Sequence, residues 1–154
     1  MKKLTTVLLT SFMLFGAVAC QNPAKTSESA PGNTNETAQS PDVDTSKTNQ
    51  SDATSETRKE QIESDIRARE QRNDAGGDDA KRNEGDIESE VRDKLEANIP
   101  ASQLAVEGDK DGAVTISGTV PTQQQLDKIE PLAKEIKGVT QVTVKATVAP
   151  TKTQ

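Results

Sequence analysis

Large apolar side chains gather at the two ends of this chain and almost vanish between them. Leu4 to Ala19 form an apolar run of sixteen residues behind Lys2 and Lys3. Residues 21 to about 57 are rich in Ser, Thr, Asn, Gln, Ala, Asp and Glu, punctuated by Pro23, Pro31 and Pro41, and only Val43 carries an apolar side chain larger than alanine. Helix formers of both charge signs follow from Thr57 to Asn73, with Glu63–Arg67 and Asp65–Arg69 as i,i+4 pairs and Ile62 and Ile66 as a two-residue stripe. A stripe that narrow predicts a solvated, fraying helix, broken by Asp74-Ala75-Gly76-Gly77-Asp78-Asp79. From Asp86 the pattern becomes that of a folded unit. Asp86 is placed as an N-cap, and Ile87, Val91, Leu95 and Ile99 recur at i+4 to give one apolar face, with Glu88–Arg92 and Glu90–Lys94 on the other side. Pro100 ends this helix, because the residue before a proline is pushed out of the α region. Leu104 and Val106 alternate in a strand, Asp109 to Gly112 form a turn, and Val114, Ile116 and Val120 share a face of the next strand. Pro121-Thr122 opens a second helix with Leu126, Ile129, Ala133 and Ile136 inward and Pro131 inside the pattern. A last strand over Gln141 to Val148 alternates Val142, Val144, Ala146 and Val148. The order helix, strand, strand, helix, strand predicts a small two-layer α+β (αββαβ) domain over residues 86–149, followed by a disordered tail over 150–154.

Three glycines stand out in that domain. Gly112 suits a turn position with positive φ, and Gly138 suits the C′ position after the second helix. Gly118 interrupts a β-branched strand, which predicts a bulge or a close approach of the backbone to a helix.

Composition changes the picture in two ways. Hydrophobic residues are only 31% of 154, too few for one core through the whole chain. Residues 20–57 are therefore expected to be a disordered linker, since burial there cannot offset ordering at about 1–2 kcal/mol per residue, and residues 58–85 a charged, partly helical linker. The chain also lacks histidine, has one cysteine, and carries its two aromatics, Phe12 and Phe15, within the apolar run. That removes imidazole catalysis, His-based metal sites, an internal disulfide, and base stacking by the folded part. The net charge of −6 disfavours a nucleic-acid partner.

Candidate chemistry is sparse. Glu107, Asp109, Asp111 and Gly112 fall at positions 1, 3, 5 and 6 of a calcium loop, but position 12, which must be a bidentate Glu, is Gly118. No metal site, cofactor or catalytic constellation is expected, and the chain reads as non-enzymatic. The apolar run is shorter than the ~20 residues of a spanning helix. It ends in Gly16-Ala17-Val18-Ala19-Cys20, which resembles the lipobox of bacterial lipoproteins with Ala17 where such boxes often carry Leu. The resemblance implies that residues 1–19 are a signal peptide and that Cys20 is the lipidation site. Gln21 after the cysteine is not the Asp associated with inner-membrane retention, which points, in a cell with two membranes, to the outer membrane facing the periplasm.

The stretch from Asp86 to Val148 is similar to a BON domain. The apolar helix face, Asp111-Gly112-Ala113-Val114-Thr115-Ile116-Ser117-Gly118-Thr119-Val120, and Gly138-Val139 followed by Val142 carry that similarity. The resemblance implies an envelope-maintaining or phospholipid-interacting module without catalytic residues. Two function classes follow. In one the domain associates with the membrane surface or phospholipid; in the other it docks on an envelope protein or cell-wall material. Residues 86–154 carry 8 basic and 11 acidic side chains, so a lipid contact would rest on Lys128, Lys134 and Lys137, interleaved with Asp127, Glu130 and Glu135.

Overall fold

The computed structural model describes residues 23–76 and 82–150. The expected signal peptide over 1–19, Cys20 and the end of the expected tail, 151–154, lie outside the described residues. The order of elements is β1 (Ala24–Lys25), α1 (Val43–Thr54), α2 (Glu56–Gly76), α3 (Glu84–Asn98), β2 (Gln103–Gly108), β3 (Ala113–Val120), α4 (Gln123–Lys134), β4 (Gln141–Val144) and β5 (Thr147–Val148). The architecture is α+β, and the expected helix, strand, strand, helix, strand succession runs from α3 onward.

Strand order across the sheet is β1-β2-β3-β4, with β5 also on β3. β2 and β3 form an antiparallel hairpin in which Leu104 opposes Gly118 and Val106 opposes Ile116. The chain then crosses through α4 and returns parallel to β3, placing Val144 opposite Ile116 and Val148 opposite Val120. The expected single last strand is two short ones. Their register on β3 is the same, and Lys145 N donates to Ile116 O at 2.7 Å in the gap opposite Ser117 and Gly118. Ala146 is buried but Val148 is exposed, so the alternation ends before Val148.

Alternation decides what each sheet face meets. Leu104, Val106, Val114, Ile116 and Val120 point to the helices and join Ile87, Val91, Leu95, Ile99, Ile129 and Ala133 in one core. α3 starts at Glu84 rather than after Asp86. Asn83 is its N-cap, with Oδ1 accepting from Gly85 N at 2.9 Å, and this places Asp86 inside the first turn. α4 is capped by Thr122, whose Oγ1 accepts from Gln125 N and donates to Gln125 Oε1, both at 3.3 Å. Thr122→Ala is expected to lower stability by about 1 kcal/mol in urea unfolding followed by circular dichroism. Pro131 leaves the Asp127 carbonyl without its helical donor. The helix ends at Lys134, and three-residue turns follow, the last closed by Val139 N on Ile136 O at 3.2 Å. Gly138 therefore sits inside that last turn and not at C′ of α4.

The largest departure from the sequence expectation is upstream. Residues 23–57, expected as part of a disordered linker, carry β1 and α1 and pack on the domain. The second sheet face explains it: Gln103, Glu107, Thr115, Ser117 and Thr119 are polar, so a polar segment can cover them by hydrogen bonding instead of apolar burial. α2 is also docked rather than solvated, with Ile62 buried.

Candidate functional site

Two places in the molecule concentrate specific interactions, and at both of them residues 23–76 are laid onto the α3–β5 domain. The first begins at β1, where Ala24 opposes Val106 and Lys25 opposes Ala105. Thr26 continues the ladder, its N donating to Leu104 O at 2.9 Å. Its hydroxyl accepts from Leu104 N at 2.9 Å and Ser102 Oγ at 3.1 Å, and donates to Ser102 O at 3.1 Å. That fills the one donor and two acceptor sites a hydroxyl offers. Beyond it the chain straps the polar sheet face. Gln103 Nε2 donates to Ser29 Oγ at 2.8 Å, Glu107 accepts from Thr34 N at 3.3 Å and from the Thr34 hydroxyl, and Lys145 Nζ donates to Asn35 Oδ1 at 3.2 Å. A cavity of about 310 Å³ remains between strap and sheet, bordered by Thr37, Ser117, Gly118 and Thr147.

The second place is the interface of α2 with α3. Arg58 grips Glu96 with two bonds, Nε to Oε1 at 2.5 Å and Nη2 to Oε2 at 2.7 Å. Arg69 lies 3.6 Å from both Asp93 and Asp86, and Arg72 is 3.3 Å from Asp86. From α3 itself, Arg92 reaches Asp93 at 2.7 Å and Glu96 at 3.6 Å. Glu90 pairs with Arg82 at 2.7 Å, both side chains nearly fully buried. The expected Glu90–Lys94 pair on an open face is thus replaced: Glu90 turns to Arg82, and Lys94 bridges to Glu135 on the α4 side at 2.7 Å. Glu88 accepts from Gly108 N at 2.8 Å instead of pairing with Arg92. Burial raises the carboxyl pKa of Glu88, Glu90 and Asp93, that of Asp93 to about 6 in spite of Arg92 and Arg69. Neither Asp93 oxygen has an aligned hydrogen bond, so the two arginines offset only part of the lost hydration.

Of the residues singled out in the sequence, Cys20 lies outside the described residues. Gly112, Gly118 and Gly138 all have positive φ, at 80°, 126° and 90°. At Gly118 the close approach is to a strand: a Cβ would stand 1.9 Å from Gln103 O, and the ladder runs through without a bulge. At Gly112 a Cβ would meet Gly138 O at 2.0 Å, so the hairpin turn and the α4–β4 turn touch backbone to backbone. The acidic hairpin tip serves that turn, Asp109 Oδ1 accepting from Asp111 N at 2.8 Å and Ala113 N at 2.9 Å. Lys128, Lys134 and Lys137 are exposed on and after α4, with Lys134 held by Glu130 at 2.6 Å. No group of three or more potential metal ligands occurs among the described residues, and none of the described helices is long and apolar enough to cross a membrane.

The segment that forms this α3–β5 unit, residues 83–150, matches the family model of the BON domain. This part of the chain is a BON domain. The match begins on Asn83, the cap of α3, and ends just after β5. No curated protein and no solved structure matches the chain. BON domains form a non-catalytic family associated with the envelope and periplasm. Both concentrations of contacts described above therefore join the BON domain to segments outside it: β1 and the strap on its sheet, α2 on its first helix. Thr26, Arg58 and Arg72 are absent from the sequence expectation, and Arg69, expected to pair with Asp65, meets Asp86 and Asp93 instead. A signal for the arginines exists, because Arg58, Ile62, Asp65, Arg69 and Arg72 recur at alternating steps of four and three along one helix face.

Proposed function

We propose that this is a non-enzymatic, lipid-anchored protein of the cell envelope. Its BON domain associates with the membrane surface or phospholipid, in envelope maintenance or stress. Acylated Cys20 ties the chain to the membrane after loss of residues 1–19, at the outer membrane facing the periplasm in a cell that has two. The observation that carries this reading is the BON match on a chain whose one cysteine closes a short apolar run behind two lysines. One acyl chain gives marginal binding and two hold stably, so a lipoprotein cysteine suffices as the anchor.

A second reading, docking of the domain on an envelope protein or cell-wall material, is favoured by the charge pattern. Residues 86–154 carry a net −3, and Lys134 and Lys94 are each engaged by a glutamate. Fractionation of cells expressing the full chain tests the anchor: wild type is expected in the membrane fraction and Cys20→Ala in the soluble envelope fraction. The soluble variant then separates the readings on anionic vesicles. Binding that survives 0.1 M salt, where the Debye length is about 10 Å, supports direct lipid contact by the domain. Loss of binding supports a protein or cell-wall partner.

A further inference from the structure

We propose that β1 is a latch holding the β1 edge of the BON sheet against the bilayer, so that this edge is the lipid-facing surface and the β4 edge faces away. The proposal rests on Cys20 carrying the anchor. Ala24, the first residue of the ladder, is four Cα steps from Cys20. At 3.3–3.6 Å per residue the chain between them spans at most ~14 Å. While β1 stays paired to Val106 and Ala105, the β1 edge cannot leave the acylated end by more than that. β4 lies three strands across the sheet, a further ~14 Å at about 4.8 Å per strand. The anchor thus fixes an orientation as well as an attachment.

The latch is built to open. β1 is two residues long and both are only partly buried. Its hold comes from the saturated Thr26 hydroxyl, which bridges Ser102 and Leu104 across the β2 edge. Polar contacts at Ser29, Thr34 and Asn35 continue it over the sheet. Once this segment lifts, the nearest rooted element is α1 at Val43, twenty-three residues from Cys20. A coil of that length has an r.m.s. span of roughly 25–30 Å, about twice the latched limit, and it no longer dictates which edge faces the lipid.

The chain contains no tryptophan, so one introduced tryptophan is a unique donor for energy transfer to a dansyl group on phospholipid headgroups. Full chain purified from membranes is reconstituted in such vesicles with Glu28→Trp, two residues beyond Thr26, or Thr143→Trp, on β4; both positions are exposed. Transfer from Glu28→Trp is expected to exceed that from Thr143→Trp about twofold or more, given the ~14 Å between edges. Adding Thr26→Val removes the hydroxyl and should lower the first signal and bring the two together. Thr26→Ser, which keeps the hydroxyl, should preserve the difference. Equal transfer from both positions in vesicle-bound protein with Thr26 intact overturns the latch and leaves the anchor standing. Failure to cosediment, with Cys20 found unmodified by mass, overturns the anchor reading and the latch with it.

Discussion

Gly118→Ala is expected to destabilise the BON domain by about 3–5 kcal/mol, enough to leave a unit of this size largely unfolded. Two independent costs add. The residue sits at φ 126°, where a side chain is strained at any packing density. Its Cβ would also occupy the space of the Gln103 carbonyl, 1.9 Å away, and that carbonyl belongs to a paired strand that cannot step aside without breaking the β2–β3 hairpin. Urea unfolding of the full chain, followed by circular dichroism, measures it. Ser117→Ala is the matched control: it removes a buried hydroxyl that has no hydrogen-bond partner, and its midpoint should stay close to wild type. A Gly118→Ala protein as stable as that control would mean that β2 does not pass where this register places it.

The second large effect is a pH dependence set by the buried face of α3. Asp93 is fully buried, with its pKa raised from 3.8 to about 6 primarily by burial. Arg92 and Arg69 face it and oppose the rise, while Asp65 of α2 and Glu96 add to it. A group whose folded pKa lies above its unfolded value contributes stability that is complete below pH 4 and is lost as pH rises through 6. Two pKa units correspond to about 3 kcal/mol at most. Glu90 and Glu88 shift in the same direction, both chiefly by burial. The protein should therefore resist urea better at pH 5 than at pH 7. Asp93→Asn, an uncharged isostere, should raise stability at pH 7 and flatten the profile, since Arg92 keeps Glu96 and Arg69 keeps Asp86. A drop in stability for Asp93→Asn at pH 7 would show that the arginine pairs outweigh the burial cost.

The domain itself was readable because its residues obey simple periodicities. Ile87, Val91, Leu95 and Ile99 are all at or below 2% exposure, as four positions at i+4 spacing require. The glycines were readable as places where a side chain would not fit, though not which neighbour would be in the way. What composition could not reveal is why residues 23–57 are ordered. A disorder argument counts apolar area, and the strap has almost none. It is held by hydroxyls, amides and a carboxylate meeting a sheet face that is itself polar, and only pairing the two faces shows the match. Glu90 and Asp93 illustrate the same point for helices. Standing beside the apolar stripe they look solvent-facing, and they are buried beneath arginines, Arg82 from just ahead of α3 on Glu90 and Arg69 of α2 with Arg92 on Asp93. Lys145 pointed nowhere in the sequence and meets Asn35 across 110 residues of chain.

That separation in sequence also sets an order in time. Thr26 and Leu104 are 78 residues apart, and closing a loop of that length costs about 2 kcal/mol more than closing one of about ten residues. The β2–β3 hairpin, with its four-residue turn, closes first, and β1 joins a sheet that already exists. The first strand of the sheet to be made is thus the last to find its place. During synthesis Ala24, Lys25 and Thr26 emerge well ahead of their own binding site and stay unpaired until Ser102 and Leu104 have been made and folded.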